Sequence, residues 1–360
     1  MKILFYINLI DFGGAERVVV NLANEFSKSG HEVVVVTSYC KEQEYELNDK
    51  VKRLSLEEKQ LKESFIRKNL TRTLRLRKIC KKERPDIVVS FMAQANFRAI
   101  MATRFLKIKT LISVRNDPSK EYPNGIYRFT AKILYPLASG CVFQTEDAKK
   151  WFSHSIQRKS KIILNPVNDK FYQVDYKGER ENIVTVGSLS QRKNQQLLIK
   201  AFSLIAQEFP KDNLVIYGNG SEKEKLMELT KSLNVEERVF FMGESSEIHE
   251  KIKNAKIFVL SSNYEGLPNV VMEAMALGLP VISTDCPCGG PKMLIENEKS
   301  GILVDINDVE AMVEKLRIIL KNPSFAEVLG ENARTTAEGF NQEKIYKSWE
   351  VYMKEIIGNM

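Results

Sequence analysis

The sequence predicts an α/β protein built from two parallel-sheet domains in tandem. Three observations carry this. The chain has 360 residues, which suits two domains better than one. Val/Ile-rich runs alternate with helix-period segments, the pattern of strands buried on both faces by crossover helices. The alternation then lapses in "NPVNDKFYQVDYKGEREN" and starts again after it.

Taken in order, "KILFYINL" reads as a buried first strand rather than a signal peptide, because no small-residue cleavage site follows it. Gly13 and Gly14 make a turn, and "AERVVVNLANEFSKSG" is an amphipathic helix closed by Gly30. "EVVVVTS", "DIVVSF" (86–91), "KTLISVR" (109–115) and "GCVFQT" (140–145) are further strands, with "RPD" and "NDP" as breaks. The second round supplies "IVTVGSL", "NLVIYGNG", "VFFMG", "IFVLSS", "PVISTD" and "GILVD", separated by helices such as "NQQLLIKAFSLIAQEF" and "SEKEKLMELTKSLN". "NQEKIYKSWEVYMKEIIG" is a terminal amphipathic helix. The expected division is a first domain over 1–165, a linker over 166–181, a second domain over 182–340 and a terminal helix over 341–360.

No apolar run approaches the roughly 20 residues of a membrane span. Five cysteines, at 40, 80, 141, 286 and 288, form no C-x-x-C pair, and "CPC" is too tight for a zinc knuckle. They read as reduced thiols of a cytoplasmic protein. The three histidines have no metal-ligand spacing, so no metal site is expected. Net charge is uneven: residues 1–170 carry 32 Lys/Arg against 18 Asp/Glu, a net of +14, and the rest carries −6. A basic first half favours polyanions, whether nucleic acid, anionic lipid or phosphorylated substrate. The basic stretch is densest over 52–84, where Leu61, Phe65, Ile66, Leu70, Leu74 and Leu76 recur at near-helical spacing. It is either a solvated helix face or a segment that adsorbs to an anionic membrane, with the inner face of the plasma membrane as the expected place.

Four stretches carry chemistry. In "DFGGAER" (11–17) two glycines open the first helix, so backbone amides there could face an anion; a tight turn explains them equally well, and the spacing is neither G-x-G-x-x-G nor a Walker loop. "VGSLSQRKN" (186–194) places Gly187, Arg192 and Lys193 at the C-terminal end of a strand, where open α/β sheets bind ligands. A fork and a point charge there suit a diphosphate, though a surface basic pair would look the same. "YGNGSEKEKL" has Gly218 and Gly220 in a strand-to-helix turn with room for a ligand, and "VFFMGE" offers Phe240–Met242, with Phe241 at the centre, as the rim of a base pocket or as plain sheet core. "NYEGLPNVVMEAMALGLPVISTD" is the most informative. A helix starting after Pro268 puts Glu265 in the preceding loop and Glu273 about one turn inside. The free amides at Leu267 to Val270 open between the two acids, and Gly266, Leu267, Pro268, Asn269 and Val270 make the expected donor-binding stretch. Carboxylates on both sides of an amide-lined mouth fit a ligand with hydroxyls at its ends and phosphates in its middle, a nucleotide-diphospho-sugar.

E-x(7)-E in "EGLPNVVMEAMALGLPVI", with "GSLSQRKN" and "GNG" upstream, resembles the retaining glycosyltransferases of family 4, and "GGAERVVVNLA" resembles those that extend bacterial surface glycans on polyprenyl-diphosphate carriers. The likeness spans nearly the whole chain. It implies the GT-B fold, two Rossmann-like domains facing a central cleft, with the terminal helix crossing back to the first domain. It implies that Arg192 and Lys193 bind and stabilise the leaving diphosphate, that Glu265 contacts the donor sugar near O3, that Glu273 holds the ribose, and that Gly13 and Gly14 meet the donor from the first domain. No Asp-x-Asp occurs, and a cation pair with a helix mouth can replace Mg²⁺, so metal independence is expected, with no cofactor. Many relatives carry a histidine where this chain has "VRNDP"; Arg115 or Asn116 would stand in for it.

The expected function is transfer of a hexose or N-acetylhexosamine from a UDP-sugar to a lipid-linked glycan acceptor in bacterial polysaccharide biosynthesis. The rivals are a GT-B sugar-nucleotide epimerase, which would release UDP without an acceptor, and a non-catalytic basic protein gripping nucleic acid or lipid, which would not need Glu265. A nicotinamide dehydrogenase lacks its glycine fingerprint.

Overall fold

The computed structural model describes the chain except residues 12, 42, 59–63, 175–177, 359 and 360, and describes residue 65 by its backbone only. Leu61, the Phe65 side chain and part of the expected linker therefore lie outside the described residues. The chain forms two compact units, Met1–Asn165 with Glu343–Met360, and Pro166–Gln342.

The first unit is a seven-stranded sheet of β1 (Lys2–Ile7), β2 (Glu32–Thr37), β3 (Lys52–Ser55), β4 (Ile87–Phe91), β5 (Lys109–Ser113), β6 (Gly140–Phe143) and β7 (Ser160–Ile162), in the order β3-β2-β1-β4-β5-β6-β7. Every pairing is parallel. The unbroken Val run of β2 follows from this, since both faces of the strand are covered. α1 (Gly14–Lys28) lies on one face. α2 (Phe65–Glu83) and α3 (Ala93–Thr103) lie on the other, where Leu76, Cys80, Ala95 and Ala99 pack on Leu4, Val34 and Val88. α4 (Gly125–Leu134) packs beside α3. The stretch 52–84 is thus not one basic helix. Its start pairs with β2 as edge strand β3, Val34 opposite Lys52, and Leu76 faces the core while Ile66, Leu70 and Leu74 face solvent.

The second unit is a six-stranded parallel sheet of β8 (Glu181–Val186), β9 (Leu214–Tyr217), β10 (Val239–Gly243), β11 (Ala255–Leu260), β12 (Val281–Thr284) and β13 (Ile302–Val304), in the order β10-β9-β8-β11-β12-β13. Its longer helices are α5 (Gln195–Ile205), α6 (Lys223–Ser232), α7 (Asn269–Ala276), α8 (Val309–Lys321) and α9 (Pro323–Ala337). Residues 166–174 are not a free tether. Phe171 is buried, Tyr172 donates its hydroxyl to the Ala337 carbonyl at 2.7 Å, and Val167 pairs with Asn341. The start of the expected linker is therefore part of this unit. α10 (Gln342–Gly358) joins the first unit, where Trp349 is wholly buried and stacks on Phe91 at 5.7 Å.

Candidate functional site

The sheet order of the second unit places its switch point between β8 and β11, because the chain leaves β8 towards β9 and later returns to its other side. Loops at the carboxyl ends of two such strands diverge and leave a crevice. Here the β8 loop carries Arg192 and Lys193, and the β11 loop carries Glu265. The two loops are stitched together by backbone and by small polar side chains. Asn263 donates its amide to the Arg192 carbonyl at 2.8 Å, Ser261 donates to the Lys193 carbonyl at 3.0 Å, and Asn194 reaches Asn263 at 3.1 Å. Asn194 is left-handed (φ 47°), a conformation asparagine tolerates, and it turns the loop into α5.

This stitching brings three charges into contact. Lys193 Nζ lies 2.6 Å from Glu265 Oε1 and an Arg192 nitrogen lies 3.4 Å from Oε2, while Ser262 donates to Oε1 at 2.8 Å. Glu265 is buried, and Lys193 is 9% exposed. Burial pushes the Glu265 carboxyl up, but Lys193, Arg192 and the Ser262 hydroxyl together outweigh it and hold the group below the usual carboxylate range. Two cations against one anion leave a local excess of positive charge in a partly dry site, the requirement for holding a diphosphate.

The glycines around this cluster act as spacers. Gly187 (φ 155°) lies against Lys193, and a Cβ there would be 3.1 Å from Lys193 Cε. At Gly218 (φ 135°) and Gly220 the protein occupies the side where a Cβ would stand. A Cβ on Gly218 would sit 2.0 Å from the Gly187 carbonyl, and one on Gly220 would sit 2.2 Å from the Leu189 carbonyl. The chain itself fills that space, so these glycines draw the β9 loop against the β8 loop.

α7 begins after Pro268, and Glu273 is buried in its second turn. Pro268 carries no N–H, so it contributes no donor to the helix mouth; its carbonyl instead accepts from Val271 and Met272 at 3.1 and 3.3 Å. Backbone bonds tie Glu265 to the 286–290 loop: the Glu265 N–H donates to the Pro287 carbonyl at 2.6 Å, and the Cys288 N–H donates to the Glu265 carbonyl at 2.8 Å. A Cβ on Gly290 would meet the Gly266 carbonyl at 1.8 Å, which fixes glycine there too. Leu267 is buried, and Asn269 and Val270 are half-buried at the helix start. Phe241 packs into the core of this unit, while Phe240 and Met242 stand exposed on the edge strand β10.

The remaining candidates belong to the first unit. Gly13 caps α1, with the Glu16 carboxylate occupying the space of a Cβ, and Gly14 is the first helical residue. Arg115 is not presented as a contact residue. Its guanidinium is buried against Phe91 at 5.5 Å, reaches Asn165 and Ser113, and leaves Nε unpartnered; burial pushes it down to about 9. Asn116 is half-buried, and its side chain accepts from the Asp117 amide at 2.9 Å. Nearby Glu121, absent from the sequence-based candidates, accepts from the Ala93 amide at 2.7 Å and keeps Oε2 enclosed without a partner. Sequence reasoning also missed Ser262, Asn194 and Asn263. They flank the charged residues, but nothing in their spacing says that the two loops meet.

Two family models together match most of the chain: Glycosyl transferases group 1 over residues 168–336, and Glycosyltransferase Family 4 over residues 12–171. The chain is also 30% identical, over 99% of its length and 99% of the relative's, to GalNAc-alpha-(1->4)-GalNAc-alpha-(1->3)-diNAcBac-PP-undecaprenol alpha-1,4-N-acetyl-D-galactosaminyltransferase of Campylobacter jejuni. The chain belongs to the glycosyltransferases of group 1 and family 4. A second Campylobacter jejuni relative, N-acetylgalactosamine-N,N'-diacetylbacillosaminyl-diphospho-undecaprenol 4-alpha-N-acetylgalactosaminyltransferase, is 28% identical over 76% of this chain and 77% of that protein. Among solved structures, Anabaena HepE in complex with UDP superposes with a TM-score of 0.83 at 17% identity, covering 99% of this chain and 100% of that one. That likeness shows the fold: this glycosyltransferase is of the GT-B type, with two Rossmann-like units. Among its described residues, no helix is long and apolar enough to cross a membrane.

Proposed function

We propose that this glycosyltransferase moves a hexose or N-acetylhexosamine from a UDP-sugar to a polyprenyl-diphosphate-linked glycan, with retention of configuration. The observation that carries the reading is the Arg192–Lys193–Glu265 cluster at the switch point of the second sheet. Arg192 and Lys193 hold the donor diphosphate and stabilise its charge as the glycosidic bond breaks. Glu265 accepts from the donor sugar's hydroxyls, and Glu273 from the ribose. Gly13 and Gly14 of the first unit meet the donor, and Asn116 takes the place of the histidine many relatives carry.

Glu265 is a poor candidate for a covalent nucleophile or a general base. A carboxylate held below its usual range by two cations and a hydroxyl is a weak base. That favours front-face attack, in which the leaving phosphate helps accept the acceptor's proton. The cation pair supplies the counter-charge that a metal supplies elsewhere, so the reaction proceeds without Mg²⁺. The UDP bound by HepE supports uridine as the carrier, and the undecaprenol-linked acceptors named for the Campylobacter relatives support a lipid-linked one.

The test is turnover of UDP-glucose, UDP-galactose, UDP-N-acetylglucosamine and UDP-N-acetylgalactosamine, each with a defined polyprenyl-diphosphate oligosaccharide, with EDTA present. One donor should give an extended lipid-linked product whose new linkage, read by NMR, is α. UDP release from UDP-N-acetylglucosamine with no acceptor would replace the transferase by an epimerase, and an inverted linkage would remove the front-face mechanism.

A further inference from the structure

The loops after β4 and β5 stand at the carboxyl edge of the first sheet, beside its own switch point between β1 and β4. The three polar residues that follow β5 are used unequally. The Arg115 guanidinium is turned inwards onto Phe91, Ser113 and Asn165. Asp117 is buried, and its carboxylate accepts from the Ser119 amide at 2.8 Å to open the short turn Pro118–Glu121. Asn116 alone of the three is half-buried. Its side-chain oxygen accepts from the Asp117 amide, which leaves the side-chain nitrogen as the group it can offer a ligand.

Glu121 ends that turn, and its backbone N–H donates to the Asp117 carbonyl at 2.9 Å. Its carboxylate crosses to the neighbouring loop, where Oε1 accepts from the Ala93 amide at 2.7 Å. Ala93 is the first residue of α3, and the first N–H groups of a helix need acceptors from outside it. Met92, at the cap position, supplies none. It is held at φ 75°, a left-handed value that a non-glycine residue keeps only where its surroundings enforce it. Its N–H donates to the Ser113 carbonyl at the end of β5 at 3.3 Å. Glu121 Oε2 is enclosed without a partner, as is Nε of Arg115, whose charge acts on this carboxyl. Buried polar atoms left unbonded weaken a fold, and they persist where a particular geometry is required.

We infer that Glu121 is a positioning residue for sugar transfer: it locks the loops after β4 and β5 into one rigid edge and so sets Asn116 against the donor sugar. A cap needed for α3 alone would come from the position of Met92, where Ser, Thr, Asp or Asn performs that task. This carboxylate comes instead from the turn that Asp117 opens, directly after Asn116, and its own N–H returns to the Asp117 carbonyl. Movement of either loop therefore breaks the Ala93 bond and shifts the backbone that carries Asn116. The role depends on Asn116 standing where many relatives carry the histidine, as proposed above; the contacts of Glu121 do not.

The test uses the full chain in two measurements. Hydrogen exchange without substrate should quicken by about tenfold or more over both 92–96 and 114–118 in Glu121→Ala, and return to wild-type rates in Glu121→Gln, whose side-chain oxygen still accepts from Ala93. With the UDP-sugar that the turnover panel selects, Glu121→Ala should lower kcat about 10- to 100-fold, and Glu121→Gln should stay within about threefold of wild type. The UDP dissociation constant should move by less than about twofold in both, because the proposed diphosphate residues lie in the other unit. Asn116→Ala should lower kcat by a similar factor, and Glu121→Ala/Asn116→Ala should be no slower than Asn116→Ala, since one residue acts through the other. A simple cap of α3 predicts losses that multiply in the double variant and exchange that quickens over 92–96 alone; either result would overturn the inference. So would wild-type kcat in Glu121→Ala. Turnover of no UDP-sugar by the wild type would remove the proposed donor instead, and the exchange measurement would still decide whether Glu121 joins the two loops.

Discussion

Glu265 keeps its charge because two cations and a hydroxyl surround it, and that limits what it can do. Glu265→Gln keeps the Ser262 hydrogen bond and the shape, but removes the charge that balances Lys193. The expected result is a kcat loss of about 100-fold or more with a folded protein, the scale of losing one preorganised group at a reacting centre; near-normal turnover would remove Glu265 from the site. Lys193→Ala leaves the buried carboxylate with only Arg192 and the Ser262 hydroxyl, so the variant should also unfold more easily, by about 1–3 kcal/mol. Its UDP affinity is therefore best read by calorimetric titration at a temperature where it is folded. Glu121 behaves in the opposite way. Burial pushes its carboxyl from 4.5 up to about 7, against the amides and the Arg115 charge around it. A proton kept by the folded protein but lost by the unfolded chain gives stability that is full below the unfolded value, falls as pH rises towards about 7, and then levels off. Glu121→Gln should flatten the decline of Tm between pH 5 and 7; superimposable curves would contradict the shift.

At the scale of elements, the Val-rich strands and most helix positions were legible, because a parallel sheet needs unbroken apolar runs and helices need their 3.6-residue period. β3 was not. "KRLS" is a short edge strand whose residues are polar or half-buried, so it carries no such signal and merges with the basic run that follows. The glycine turns were visible as turns, but their reason was not, because it depends on which loop lies opposite. Gly218→Ala should cost about 2–4 kcal/mol, since the new Cβ meets the Gly187 carbonyl and φ is positive. Gly125→Ala, with nothing within 4 Å at the start of α4, should be neutral or stabilise by up to about 1 kcal/mol. Urea unfolding of the two variants side by side checks both; equal effects would mean the loop packing is not what requires glycine at 218. Arg115 shows the same limit in a side chain. Its place in a loop suggests contact with a ligand, whereas its burial against Phe91 and Asn165 depends on strands far away in sequence.

For the whole molecule, the two-domain plan could be read from the chain, but the contact of Arg192 and Lys193 with Glu265 could not, because it depends on a strand order that no local spacing encodes. The core of the first unit is completed by the far end of the chain, through Trp349 on Phe91. Trp349→Ala should destabilise the protein by about 3–5 kcal/mol in chemical unfolding, with tight UDP binding retained at temperatures where the protein is folded, because the proposed nucleotide residues lie in the other unit. Loss of UDP binding in a folded Trp349→Ala protein would place the nucleotide in the wrong unit. The most direct measurement is a crystal structure with an intact UDP-sugar. The diphosphate should lie within hydrogen-bond distance of Arg192 and Lys193, the ribose on Glu273 and the sugar on Glu265. A nucleotide bound elsewhere, with Glu265 still closed on Lys193 and Glu273 touching no part of it, would contradict the reading.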